Sequence, residues 1–325
     1  MKHSARLFLV SLLSCAATGA LAADASKDYP NRPVRFIAPF VPGGPSDTLS
    51  RLLAQKLTEA WSQQVIVDNR GSAGGIVGFE LGAKAVPDGY TLLLANGAGL
   101  TINPHVYTKL PYDPARDFQP ITQITSGAYF MVLNPSVPAK SVKEFIALAK
   151  SKPGALNFAA TGTNNLLASE QFSHMAGIKM TPVNYKGTGQ AITAVMSGEV
   201  QMFIISPLVA IPQIKAGKLR AIGVTGLKPN TALPDVPPIA NTLKGFENIT
   251  WHSVVVPVKT PKPIVAKLSK ELMRIIKSPD ITQRIEQQGL DAVGSTPEEL
   301  AAIIKAETQM YGKLVKQIGL KPQDF

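Results

Sequence analysis

The sequence predicts an α/β protein of two domains, each a mostly parallel sheet flanked by helices, with a cleft between them. Three observations carry this. Strand, loop and helix recur in that order through the first third and again through the middle, the pattern of parallel sheets with their loops gathered on one edge. The alternation lapses over residues 103–120 and restarts near Ala128. From Pro263 the chain is helical with no strands of its own, so these helices must cover a sheet built earlier. A chain of 325 residues is also large for one core. The expected division is 28–130 plus 252–325 for one domain and 131–251 for the other, with crossings near residues 130 and 250.

The N-terminus has Lys2 and Arg6, an apolar run from Leu7 to Leu21, and Ala20-Leu21-Ala22. This order of charged, apolar and small residues predicts an export signal over 1–22, cleaved after about Ala22. Cys15 is the chain's one cysteine. It is lost with the signal or, on a competing reading, is a lipid-attachment site. Disulfide and thiol chemistry are thus not expected in the exported form.

The formal net charge is +11; without Lys2 and Arg6 it is 11 − 2 = +9, since the signal holds no acid. A basic exported protein attracts anions at long range. Lys and Arg are scattered rather than clustered with aromatics, so nucleic acid is not the expected partner.

The first strand, Val34–Phe40, runs into Val41-Pro42-Gly43-Gly44-Pro45-Ser46-Asp47 and then a helix over 47–61. Leu49, Leu52, Leu53, Leu57 and Trp61 fall on one face of that helix. Such a junction either presents free N–H groups to an anion or is a simple turn capped by Ser46 or Asp47. A second strand over 64–68 leads to Asn69-Arg70-Gly71-Ser72-Ala73-Gly74-Gly75 and a helix of small residues through Val86. The glycine spacing differs from a dinucleotide fingerprint. Pro87-Asp88-Gly89-Tyr90 turns the chain into strand 91–96, after which Asn96-Gly97-Ala98-Gly99 reads as a flexible loop. Residues 103–120, rich in Pro and Asp, read as a surface connection.

The pattern restarts with a strand near 128–133 and helix 142–150. Strand 156–160 then leads to Thr161-Gly162-Thr163-Asn164-Asn165 and a helix, strand 181–185 to Lys186-Gly187-Thr188-Gly189 and a helix, and strand 201–205 to Ser206-Pro207 and a helix. Each repeats the opening junction with hydroxyl or amide donors added. A further strand spans 218–226, residues 228–246 are irregular, 251–257 is a strand, and helices follow over 263–277, 281–288 and 298–318.

Catalytic signatures are lacking. His105, His174 and His252 have no ligand-spaced companions, so no metal and no cofactor are expected. There is no nucleophile elbow or Walker loop, and Ser72 and Ser206 have no evident base. Lys186 is either a partner for a ligand carboxylate or a solvated lysine. Tyr185 and Phe40 stand at strand ends, where a ring either walls a ligand or packs the core.

Tyr29-Pro30-Asn31-Arg32-Pro33, Phe40-Val41-Pro42-Gly43-Gly44 with Asp47, the glycine loop 69–75, Pro87-Asp88-Gly89-Tyr90-Thr91-Leu92, Leu110-Pro111-Tyr112-Asp113, Val183-Asn184-Tyr185-Lys186-Gly187, Ile214–Arg220 and Leu233-Pro234-Asp235-Val236-Pro237 occur in this order along the chain. In this they resemble the Bug-type extracytoplasmic solute receptors of tripartite tricarboxylate transporters. The resemblance implies a periplasmic, type II-like Venus-flytrap binding protein, expected to be monomeric and without catalysis. It would capture a small carboxylate (a dicarboxylate, aromatic carboxylate or acidic amino acid) and pass it to membrane permease subunits or to a membrane sensor. It implies ligand contacts from Phe40, Gly44, Ser46 and Asp47 on one side and from Thr161, Gly162, Thr163, Asn164 and Tyr185 on the other. Gly97, Ala98, Lys186, Gly187 and Ser206 join them from the neighbouring loops. Two departures stand out: Pro45 removes a backbone donor from the first loop, and the loop 161–165 is about two residues shorter than is usual in the family, with Leu166 where histidine is common.

Overall fold

A computed structural model describes residues 27–324; the export signal expected over 1–22, with Cys15, lies outside the described residues. The first domain opens with β1 (Val34–Ala38), α1 (Pro45–Trp61), β2 (Val65–Asn69), α2 (Ile76–Ala83) and β3 (Thr91–Asn96). Three short helices follow, α3 (Gly97–Thr101), α4 (Asn103–Val106) and α5 (Pro114–Asp117), then the long strand β4 (Phe118–Ala128). The second domain holds β5 (Phe130–Leu133), α6 (Val142–Ser151), β6 (Asn157–Ala160), α7 (Thr163–Ala176), β7 (Thr181–Asn184), α8 (Thr188–Ser197), β8 (Met202–Ile205), α9 (Pro207–Lys215) and β9 (Arg220–Val224). The chain then returns through β10 (Ile249–Pro257), α10 (Lys262–Ile276), α11 (Pro279–Glu286), β11 (Asp291–Ala292) and α12 (Pro297–Gln317).

The first sheet has the order β11-β4-β10-β3-β1-β2 and the second β7-β6-β8-β5-β9. β1 to β4 run one way, with β10 and β11 opposed. β6 to β9 run one way, with β5 opposed. The opposed central strands follow from the crossings. The parallel strands end at the cleft, so a chain that has just crossed begins its next strand there and must run back. β5 does this on entering the second domain and β10 on returning to the first.

Side-chain alternation builds a core on each face of each sheet. In the first domain Val34, Phe36, Leu92 and Leu94 pack with Leu49, Leu53 and Leu57 of α1 and with Leu268, Leu272 and Ile275 of α10. Ile37, Leu93 and Ala95 face the other way, toward Phe79, Trp251, Leu300 and Tyr311. The second domain repeats the scheme, with Met131, Leu133 and Phe158 packed against α6 and α7, and Phe130, Val132 and Phe203 against α8 and α9. The terminal helices do cover the first domain.

Three local expectations are corrected. Residues 96–99 are not a flexible loop: Asn96 Oδ1 accepts from the Gly99 N–H at 3.1 Å and caps α3. The segment 103–120 is not a structureless connection, since it holds α4, α5 and the start of β4. The helix after the glycine loop stops at Ala83 rather than Val86.

Candidate functional site

Between the domains lies a cleft lined by both sheets' loops. Four helices begin at its wall: α1 after Gly44, α7 after Gly162, α8 after Gly187 and α9 after Ser206. None of these four N-cap residues makes a side-chain cap. Elsewhere Ser141 caps α6, and Thr296 with Glu299 forms a capping box on α12. First-turn residues of α1, α7 and α8 line the cavity, so these N-termini and their dipole ends converge on it; α9 contributes its N-cap Ser206, and Pro45 and Pro207 leave α1 and α9 without an N–H at the first position. No Lys, Arg, Asp or Glu is among the lining residues.

Asp47 lies just behind this wall and serves the first loop rather than the cavity. Its Oδ2 accepts from the Gly43 N–H at 3.0 Å, and Arg51 Nε sits 2.9 Å from Oδ1 in an ion pair. Burial pushes its carboxyl pKa up, but the Gly43 N–H, Arg51 and Asn69 outweigh this and hold it below the usual range. Asn69 reinforces the same loop by donating to the Phe40 carbonyl at 3.2 Å. Across the cleft, Asn165 braces the loop 161–165, donating to Thr161 Oγ1 at 2.8 Å and accepting from the Thr161 N–H at 3.1 Å.

The cleft floor comes from the crossing strands. Tyr129 links β4 to β5, and Thr250 and His252 lie on β10; all three are buried and line the cavity. The Tyr129 hydroxyl meets the side chains of Thr250 and Asn164; burial raises its pKa to about 12, with these hydrogen bonds pulling weakly the other way. His252 Nδ1 is 3.1 Å from Thr125 Oγ1, and burial lowers the imidazole pKa to about 4, leaving it neutral at ordinary pH. Phe40, Phe203 and Ile205 supply apolar wall.

One hydrogen bond spans the domains here. Asn103 Nδ2 donates to the Gly74 carbonyl at 3.1 Å and to the Tyr112 hydroxyl at 2.9 Å, which fixes the amide's orientation. Its Oδ1 then accepts from the Thr163 hydroxyl at 2.6 Å. Thr163 is also the first residue of α7 and lines the cleft, so one residue belongs both to the cleft wall and to the domain contact.

Of the residues expected from sequence, the structure brings Phe40, Gly44, Ser46, Thr161, Gly162, Thr163, Asn164, Gly187 and Ser206 to the lining. Asp47 stands behind it. Gly97 and Ala98 are buried in α3 outside it, and a Cβ on Gly97 would lie 2.8 Å from Trp251 Nε1. The Tyr185 hydroxyl donates to Glu199 Oε1 at 2.9 Å, turned from the cavity, and Lys186 is exposed outside the lining. Several lining residues were not expected; most sit in the loops already singled out or in the strands leading to them, but Tyr129, Thr250 and His252 come from outside these. Their one signal was position, at the two places where the chain changes domain.

The model of the tripartite tricarboxylate transporter family receptor matches residues 49–320. The chain belongs to that family. A curated relative of this receptor from Pseudomonas sp. (strain P51), "UPF0065 protein in tcbD-tcbE intergenic region", is 36% identical over 296 residues, covering 90% of this chain and 88% of the relative. Among solved structures, "R. palustris Rpa4515 with adipate" superposes with a TM-score of 0.89 at 30% identity, over 91% of this chain and 100% of that one. The periplasmic binding protein BugD superposes with a TM-score of 0.86 at 31% identity, over 91% and 100%. The receptor is thus a Bug-type member with the two-domain fold of periplasmic binding proteins, and the proteins it resembles are solute-binding receptors rather than enzymes.

Proposed function

We propose that this receptor captures a small carboxylate in the interdomain cleft and delivers it to tripartite tricarboxylate-type permease subunits. It would be exported by cleavage near Ala22 and act as a monomer in the periplasm, its two domains, 28–130 with 252–325 and 131–251, closing on the ligand. The observation that carries the reading is the set of four uncapped helix N-termini around a cavity without a charged side chain. A carboxylate there receives N–H donors and four positive dipole ends. Each dipole end contributes about 0.3–1 kcal/mol, and more when partly buried. The adipate named with the similar Rpa4515 structure supports the same class.

Within that class, dicarboxylates and aromatic carboxylates fit better than acidic amino acids. A ligand ammonium would need a buried counter-charge. The nearest carboxylate, Asp47, is already engaged by Gly43 and Arg51.

Thermal unfolding and calorimetry against aliphatic dicarboxylates, aromatic carboxylates and acidic amino acids test this. A true ligand at a hundredfold excess over its Kd adds about 2.7 kcal/mol of stability. A response to no carboxylate at all overturns the reading, and a response to acidic amino acids alone overturns the preference within the class.

A further inference from the structure

We infer that His252 is a ligand-reading residue of this receptor: its Nε2–H, set by Thr125, is a neutral donor for the acceptor group at the far end of a bound dicarboxylate. The inference rests on the carboxylate reading above and concerns the end of the ligand remote from the helix N-termini.

The tautomer follows from hydrogen-bond supply. Thr125 Oγ1 is fully buried, and its contact is His252 Nδ1 at 3.1 Å. If Nδ1 carried the proton and donated to Thr125, the threonine O–H would be left as a buried donor without an acceptor, which is costly. The hydroxyl therefore donates to Nδ1, and the ring proton sits on Nε2. Strand register fixes the ring, because His252 on β10 pairs with Thr125 of β4 on one side and Asn96 of β3 on the other. His252 lines the cavity; among the described residues its Nε2 has no hydrogen-bond partner, and it is not one of the sealed atoms that lack one, so this nitrogen keeps access to the cavity. Burial that keeps the imidazole neutral makes it a donor that adds no charge.

The residues around it match that role. The Tyr129 hydroxyl and the Asn164 and Thr250 side chains meet at the same floor. A ligand held by one carboxylate at the helix ends gains from this floor when its other end accepts hydrogen bonds. A methyl end leaves the His252 N–H unpaired.

The test is the ratio of affinities for adipate and hexanoate, which share chain length and differ at one end, measured by calorimetry on the wild-type receptor and on His252→Phe, His252→Gln and Thr125→Val. A hydrogen bond to a charged group has a net value that makes the loss in the ratio about tenfold or more for His252→Phe. His252→Gln, which keeps an N–H donor, recovers much of the loss. Thr125→Val, which frees the tautomer without touching the cavity, falls between. If His252→Phe does not fold, Thr125→Val carries the test. An unchanged ratio in the variants, or a wild-type receptor that binds hexanoate as tightly as adipate, overturns the inference while leaving carboxylate capture intact. A wild-type receptor that binds neither ligand nor any other carboxylate overturns both.

Discussion

Gly187→Ala is expected to disable ligand capture by blocking domain closure rather than by removing a contact. Gly187 precedes α8 in the second domain, and a Cβ there would lie 2.6 Å from Cγ2 of Val41 in the first. Carbon atoms pack at about 3.5–4.0 Å, so the added methyl is about 1 Å too close. Although Val41 is 38% exposed, its freedom to withdraw is limited. Its Cγ1 is pressed against Gly71, where a Cβ would fall 2.5 Å away, and a β-branched side chain has few rotamers. The backbone adds nothing to the cost, because φ at Gly187 is −165° and alanine adopts that freely. The overlap that Val41 does not absorb therefore falls on the approach of the two domains. Overpacking of this kind costs about 1–3 kcal/mol, or roughly a 5- to 150-fold loss of affinity. Calorimetry with the best carboxylate measures it, and Val41→Ala in the same chain should restore most of the loss. Wild-type affinity in Gly187→Ala, or a loss that Val41→Ala does not relieve, refutes the reasoning.

Thr163→Val removes the interdomain hydrogen bond to Asn103 and should speed ligand release about fivefold, the net value of one such bond, while Thr163→Ser keeps the wild-type rate; stopped-flow dissociation separates the two. Ser206→Ala should leave the melting temperature unchanged or slightly raised, since the Ser206 Oγ is buried without a protein partner. Glu307→Gln should flatten the alkaline decline in stability. Burial raises the Glu307 pKa to about 7, against which hydrogen bonds from Trp251 and Thr101 act only partly. An acid with a raised pKa holds its proton in the folded state, so its contribution is intact below about pH 4.5 and is lost as pH rises through 7. Denaturant titrations at pH 5 and 8 should show the variant gaining on wild type by at most about 3 kcal/mol between them.

The strand-loop-helix rhythm was readable because each unit carries its own local signals: a periodic apolar face, a glycine or proline turn, a small residue at the helix start. The loop Phe40–Ser46 and the loop 161–165 were found that way. β4 was not. Its sequence, Phe118-Gln119-Pro120-Ile121-Thr122-Gln123-Ile124-Thr125, looks like a polar connection, yet Thr122, Gln123 and Thr125 are buried. Their partners are distant in sequence: Thr122 Oγ1 donates to the Ser295 carbonyl at 2.7 Å, and the Gln123 N–H donates to Ser295 Oγ at 2.9 Å. Buried polar residues read as strand only once such partners are known. The cleft floor was hidden for the same reason, because Tyr129 and His252 stand far apart in the chain and meet only through the pairing of β4 with β10. Asp47 shows a limit of another kind. Its position admitted either a ligand or a loop, and only the Gly43 and Arg51 contacts distinguish them.

Charge in this molecule divides between attraction and recognition. The chain carries a formal net charge of +11, but no cation lines the cleft. A basic exterior raises the local concentration of anions and is screened by salt within about 8–10 Å. Inside, on the proposed reading, backbone N–H groups at the helix starts, with hydroxyl, amide and imidazole donors on the floor, would meet the ligand without mobile counter-charges. These donors are held by strand pairing and by braced loops, so little must be ordered when the ligand arrives. A buried lysine in their place would leave an unpaired charge whenever the cleft stood empty. Neutral donors impose a smaller penalty on the empty receptor, which allows a binding protein to release its ligand as well as to hold it. The opposed strands β5 and β10 belong to the same logic. By bringing the chain back from the cleft, they place Tyr129 and His252 at the floor between the domains, where one ligand can touch both.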